Sequence, residues 1–198
     1  MLSEVQNFYV ALLCDRQVRE QFFQDPALLF SEYELSEEEK RWCRDLPLSA
    51  IERYAAGLLS KRWRSVKAVC PRSVKLWPTL EHVYREWLAE NPAWCEESTL
   101  SVGELEGLRA LPALRQRLCE DDSFPAYAAD VLTLELLQSC SRHDGKIRTL
   151  RSEWDLQGWW KLELEEMATQ TPPREPTEVR LESNRSRWRP WRREESTS

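Results

Sequence analysis

The residues best equipped for chemistry are few. Only two histidines occur, His82 and His143, so no triple-histidine metal site can form. The six cysteines, at positions 14, 43, 70, 95, 119 and 140, lie 21–29 residues apart. With no Cys-x-x-Cys pair among them, they read as small buried hydrophobes of a reducing compartment, not as zinc ligands. The chain holds no glycine-rich phosphate loop, no G-x-S-x-G elbow and no H-E-x-x-H helix. Carboxylates are abundant, as in SEEEK and ELEEM, but such runs suit solvated helix faces and helix N-termini. Nothing in the pattern selects a general acid and base. The one concentrated signal is basic and aromatic: RSRWRPWRRE at 185–194, where Arg185, Arg187, Arg189, Arg192 and Arg193 surround Trp188 and Trp191. Interleaved Arg and Trp can stack on bases or grip an acidic peptide. Alternating arginines also suit an exposed edge strand that resists aggregation, followed by a frayed tail.

The elements that must position these residues are mostly helical. Val5, Phe8, Tyr9, Leu12 and Leu13 recur at helical spacing. Asp15 can cap a short second helix carrying Val18, Phe22 and Phe23, and Asp25-Pro26 starts a third with Asp as N-cap and Pro in the first turn. Leu28, Leu29 and Tyr33 are expected to face the core. Ser36 with Glu39 forms a capping box that opens a helix through Trp42 and Cys43. The stretch 48–70 reads as a long helix with Ile51, Ala55, Leu58, Leu59, Val66 and Val69 on one face. Arg53, Lys61, Arg64 and Lys67 lie on the opposite face, a candidate partner-binding surface. Arg62 falls within the apolar arc, where a guanidinium needs a partner, such as an acid of another helix or a docked protein.

After Pro71 a helix over 78–90 carries Leu80, Val83, Tyr84, Trp87 and Leu88, with His82 beside the stripe. A weaker helix over 101–119 is interrupted at Pro112, and Pro125 opens a strong one to about 140. Beyond Asp144-Gly145 the pattern changes: KIRTLRSEW as a strand, DLQGWWKLELEEM as one short helix, TPPREP as a turn, and two strands around Ser183-Asn184. The fold expected is mainly α with a small C-terminal α+β part, as a helical domain at 1–92 and an α+β domain with a basic tail at 93–198.

Totals narrow the function. A net charge of −6 argues against a nucleic acid partner for the chain as a whole. Ten Trp among 198 residues is high and suits packing and interfaces. No run approaches the roughly 20 apolar residues of a membrane span, and the N-terminus does not read as a signal peptide. A cytoplasmic protein is the expectation.

Three stretches resemble a known family. The first contains Phe23, Asp25-Pro26, Tyr33, Leu35-Ser36 and Glu38. The second is IERYAAGLLSKRWRSVKAVCP with Tyr54, Leu58, Lys61-Arg62, Val66 and Pro71. The third is FPAYAADVLTLELL with Tyr127, Asp130, Leu134 and Glu135. Together with the strand–helix–strand pattern at 146–183 they resemble the partner subunits of multinuclear iron oxidases in ribosomal peptide natural-product biosynthesis. The methanobactin-type partner protein and relatives labelled as DNA-binding domains belong to that family. Trp63, Trp77, Trp159 and Trp160 have no counterpart in the pattern. The resemblance implies a helical N-terminal domain and a winged-helix-like peptide-recognition unit. It also implies a heterodimer with an iron-dependent oxidase that carries the iron, no cofactor of the chain's own, and a precursor peptide as second partner. The peptide would join a sheet edge within 177–193, making Val179, Leu181, Arg185, Arg187, Trp188, Arg189 and Trp191 the candidate peptide-binding residues. The basic helix face and Arg62 would then dock the oxidase or the peptide. Two other readings stand beside it: a DNA-binding regulator using the Arg/Trp tail, and a small helical dioxygenase subunit whose activity depends on His82 or His143.

Overall fold

In a computed structural model, residues 4–91, 98–183 and 185–190 are described. Among them 66% of residues are helical, in eleven helices, and a three-stranded antiparallel sheet lies near the C-terminus. The chain divides into two compact units, Met1–Trp63 with Tyr84–Glu96, and Arg64–Val83 with Glu97–Ser198.

Short polar caps set the first unit. Asp15 accepts from the backbone of Gln17 and Val18 and separates α1 (Glu4–Cys14) from α2 (Arg16–Gln24). Asp25 does the same for Ala27 and Leu28 at α3 (Pro26–Phe30), and the Ser36–Glu39 box opens α4 (Glu37–Arg44). Helix α5 (Leu48–Val69) follows, its first part belonging to this unit. The core gathers on Phe8, whose ring lies 5.7, 5.5 and 5.1 Å from those of Phe22, Phe30 and Tyr33. Leu12, Leu29, Leu35, Cys43 and Ile51 complete it. Leu28, expected in this core, is instead 55% exposed: α3 is a five-residue helix that turns Leu29 and Phe30 inward.

The second unit contains the rest of α5, α6 (Pro71–Leu76), α8 (Val102–Glu120), α9 (Ala128–Asp144), β1 (Arg148–Ser152), α10 (Leu156–Trp159), α11 (Leu164–Thr169), β2 (Thr177–Glu182) and β3 (Arg185–Pro190). Helix α7 (Leu80–Glu90) divides between the units at Val83 and Tyr84. Pro112 does not interrupt α8; it sits inside the continuous helix on an exposed position, where water can serve the carbonyl that loses its donor. The segment expected as one helix over 155–167 is two, because the chain turns at Trp160–Leu162 before Glu163 caps α11.

The sheet has order β1-β2-β3, with Leu150 opposite Val179 and Val179 opposite Trp188. Alternation sends Leu150, Val179 and Leu181 to one face, where they pack with Val131 and Leu134 of α9 and with Leu156, Trp159 and Met167. Tyr127 sits among three indoles, its ring 6.2, 5.7 and 5.3 Å from Trp77, Trp154 and Trp159. Trp159 belongs to this core, and Trp77 and Trp160 pack against it.

Candidate basic sheet face

The other face of the sheet is polar. Its residues are Thr149 and Arg151 on β1, Glu178, Arg180 and Glu182 on β2, and Arg185, Arg187 and Arg189 on β3. The register places Glu178 between Arg151 and Arg189, Arg180 between Thr149 and Arg187, and Glu182 opposite Arg185. Arg151 donates through Nε to Glu178 at 2.7 Å, and Arg189 through Nε at 2.6 Å and also through Nη2. Those hydrogen bonds, from Arg151 and then Arg189, hold the Glu178 carboxyl below its ordinary range. Glu178 is covered by the two arginines, which are themselves exposed.

One step along the strands, the charges do not balance. Arg180 and Arg187 stand directly opposite each other and share Glu182, at 3.4 and 3.7 Å. Like charges in register repel, and an anion placed between them relieves that repulsion. A shallow cleft of about 400 Å³ opens here, lined by Ile147, Thr149, Glu178, Arg180, Arg187 and Arg189. Ile147 is 55% exposed, so the cleft has an apolar rim. Among the described residues, strand β3 is an end strand of the sheet.

Of the residues proposed to hold a peptide, Arg185, Arg187 and Arg189 share this face, and Trp188 is half-buried on the opposite one. Val179 and Leu181 offer no peptide-binding surface: β2 is the central strand, and both side chains are buried against α9. Trp191, with Arg192 and Arg193, lies outside the described residues. Residue reading missed Arg151 and Glu178; the signal was the alternation in TEVRLE, which places Glu, Arg and Glu on one side of the strand.

The proposed partner-binding residues lie elsewhere. Arg53, Lys61, Arg64 and Lys67 are exposed on α5, the first two in the first unit and the last two in the second. Arg62 is 8% exposed, and its Nη1 donates to the carbonyls of Leu88 at 3.3 Å and Asn91 at 2.9 Å. It therefore serves the end of α7, where carbonyls lack intrahelical donors and a cation suits the dipole. It also lines a cleft of about 390 Å³ with Leu13, Arg19, Phe23, Ala55 and Leu88.

The two histidines are far apart in role. His82 is exposed. His143 Nδ1 lies 3.0 Å from buried Glu104, whose carboxylate also accepts from Ser139 Oγ at 2.7 Å and from Ser101 N and Oγ at 2.8 and 2.9 Å. Burial raises the pKa of Glu104, but these hydrogen bonds outweigh it and leave the carboxyl below its ordinary range. The pair orients the imidazole as a general base would need, yet among the described residues no hydroxyl or thiol hydrogen-bonds its Nε2. Cys140 is no nucleophile at neutral pH, burial pushing its thiol up to about 11. Among the described residues no group of three or more His, Cys, Asp or Glu is placed to hold a metal ion, and no helix is long and apolar enough to cross a membrane.

No family model, curated protein or solved structure matches this chain.

Proposed function

We propose that this protein is a non-catalytic binding subunit: it assembles with an iron-dependent oxidase and holds a ribosomally made precursor peptide for that enzyme. The observation that carries the reading is the pairing of an end strand, β3, with a face where five arginines meet two glutamates. An end strand offers unpaired backbone groups to an extended peptide, and the arginines select one of complementary charge. The order helix, strand, two short helices and hairpin, from α9 to β3, supports a winged-helix-like peptide-recognition unit. The exposed bases of α5 suit contact with an acidic oxidase surface.

Co-expression with a candidate oxidase, followed by co-purification and metal analysis of each chain, tests the assembly. Iron should follow the oxidase. Iron bound stoichiometrically to this chain purified alone, or turnover by it alone, would refute the reading.

A further inference from the structure

The strand register goes further than a general affinity for peptides. We infer that the occupant of the β3 edge is a short extended segment whose acidic residues alternate with apolar ones; this rests on the peptide-holding reading above.

Two positions separate Glu182 from Arg185, and a two-residue hairpin connection closes on a hydrogen-bonded pair. Counting by two, Arg180–Arg187 and Glu178–Arg189 are hydrogen-bonded pairs as well. The backbone groups of Arg185, Arg187 and Arg189 are therefore turned toward β2. Those of Ser186 and Trp188 are turned to the open edge, each with an N–H and a carbonyl. Pro190 has no N–H, so it ends the run of donors. The edge accepts a segment of about five residues, spaced at about 3.4 Å.

Side-chain alternation fixes the chemistry of that segment. Residues opposite Ser186 and Trp188 share the face of the half-buried indole, which favours apolar groups. Residues opposite Arg185, Arg187 and Arg189 share the arginine face, which favours carboxylates. Arg189 is already bound to Glu178 and Arg187 shares Glu182, while Arg185 has no ion-pair partner among the described residues. The acids facing Arg185 and Arg187 consequently contribute most.

The experiment is fluorescence anisotropy with the full chain and three probes, compared at one salt concentration and repeated at rising salt. One is a seven-residue peptide alternating Glu and Val; one has the same composition with the Glu residues in a block; one is a short duplex DNA. The alternating peptide should bind at least ten-fold tighter than the blocked one. Arg187→Glu should weaken it at least ten-fold. Ser186→Pro, which removes an outward N–H and leaves the ladder to β2 intact, should abolish binding with an unchanged circular dichroism spectrum. Equal affinity for the two peptides would overturn the alternation and leave the peptide-holding reading standing. No binding of either peptide would overturn both. Tighter binding of the duplex, falling steeply with salt, would overturn the inference in favour of a phosphate backbone.

Discussion

Gly103 should tolerate no side chain, although a helical glycine is normally improved by alanine. A Cβ built at Gly103 would collide with the carbonyl oxygen of Ser65 and lie 2.6 Å from its carbon and 3.3 Å from Val66 N. Carbon atoms rest at about 3.5–4.0 Å, so the backbone of α5 would have to retreat by about 1 Å. Neither side can yield cheaply, because both are helical backbone. Overpacking of this kind costs about 1–3 kcal/mol, and the constraint here places it at the upper end. The gain in helix propensity is under about 1 kcal/mol, and smaller still in the first turn. Gly103→Ala should therefore lose about 2 kcal/mol. Gly107, one turn along the same helix, supplies the control: its Cβ would meet Leu136 Cδ1 at 2.8 Å, the movable end of a side chain. There the propensity gain and the repacking cost nearly cancel. In urea, with a slope of about 2 kcal/mol per molar, Gly103→Ala should lower the midpoint by about 1 M and Gly107→Ala should barely move it. Equal midpoints for the wild type and Gly103→Ala, or a larger loss at Gly107, would refute the close approach of α8 to α5 at Ser65.

Glu135 is buried and accepts from Arg72 N, Ser73 N and Ser73 Oγ at 2.8, 2.9 and 2.8 Å; Glu135→Ala orphans these donors and should cost about 2–4 kcal/mol by urea denaturation. Burial raises the Glu135 pKa despite those bonds, so its contribution is present below the unfolded value and falls as pH rises through the folded one; Glu135→Gln should flatten that slope in stability measured from pH 4 upward. The opposite sign applies to Asp144, which its hydrogen bond from Arg148 holds well below the usual carboxylate range: its contribution is present above the unfolded value and lost in acid, so Arg148→Met should lower the melting temperature at neutral pH and the gap to the wild type should close below about pH 4, as read by thermal melts. Among the described cysteines, exposed Cys119 should alkylate first in a mass-mapped time course, and Cys70 and Cys140, their thiols raised by burial, last.

What the sequence made legible was local. Asp15, Asp25 and Ser36 announced their helices because a cap and the amides it serves are two or three residues apart. The hairpin at 177–190 was legible because alternation is a short-range pattern. Leu28 was misplaced because its segment is too short for a helical period to decide which side faces inward. The break within 155–167 depended on how Trp159 and Met167 reach the same core, and no spacing encodes that. Helix α6 escaped notice for a related reason. Its N-cap residue, Cys70, makes no side-chain hydrogen bond, and the cap is supplied by Glu135, 62–63 residues away.

The same distinction explains why the basic tail misled as to where its partners lie. Read linearly, Arg185, Arg187 and Arg189 belong with Trp191 and the arginines beyond it. Among the described residues, the charges beside them come from other strands: Glu178, Glu182, Arg180 and, through Glu178, Arg151. Neighbouring strands lie about 4.8 Å apart, well within the screening length of about 8 Å at physiological salt. The net charge of −6 belongs to the chain as a whole, whereas at this face five arginines meet two glutamates. On the proposal above, an acidic protein attracts an acidic segment provided the segment arrives as a strand. Presented as a coil or a helix, the same carboxylates would not fall opposite successive arginines, and their advantage over any other polyanion would vanish.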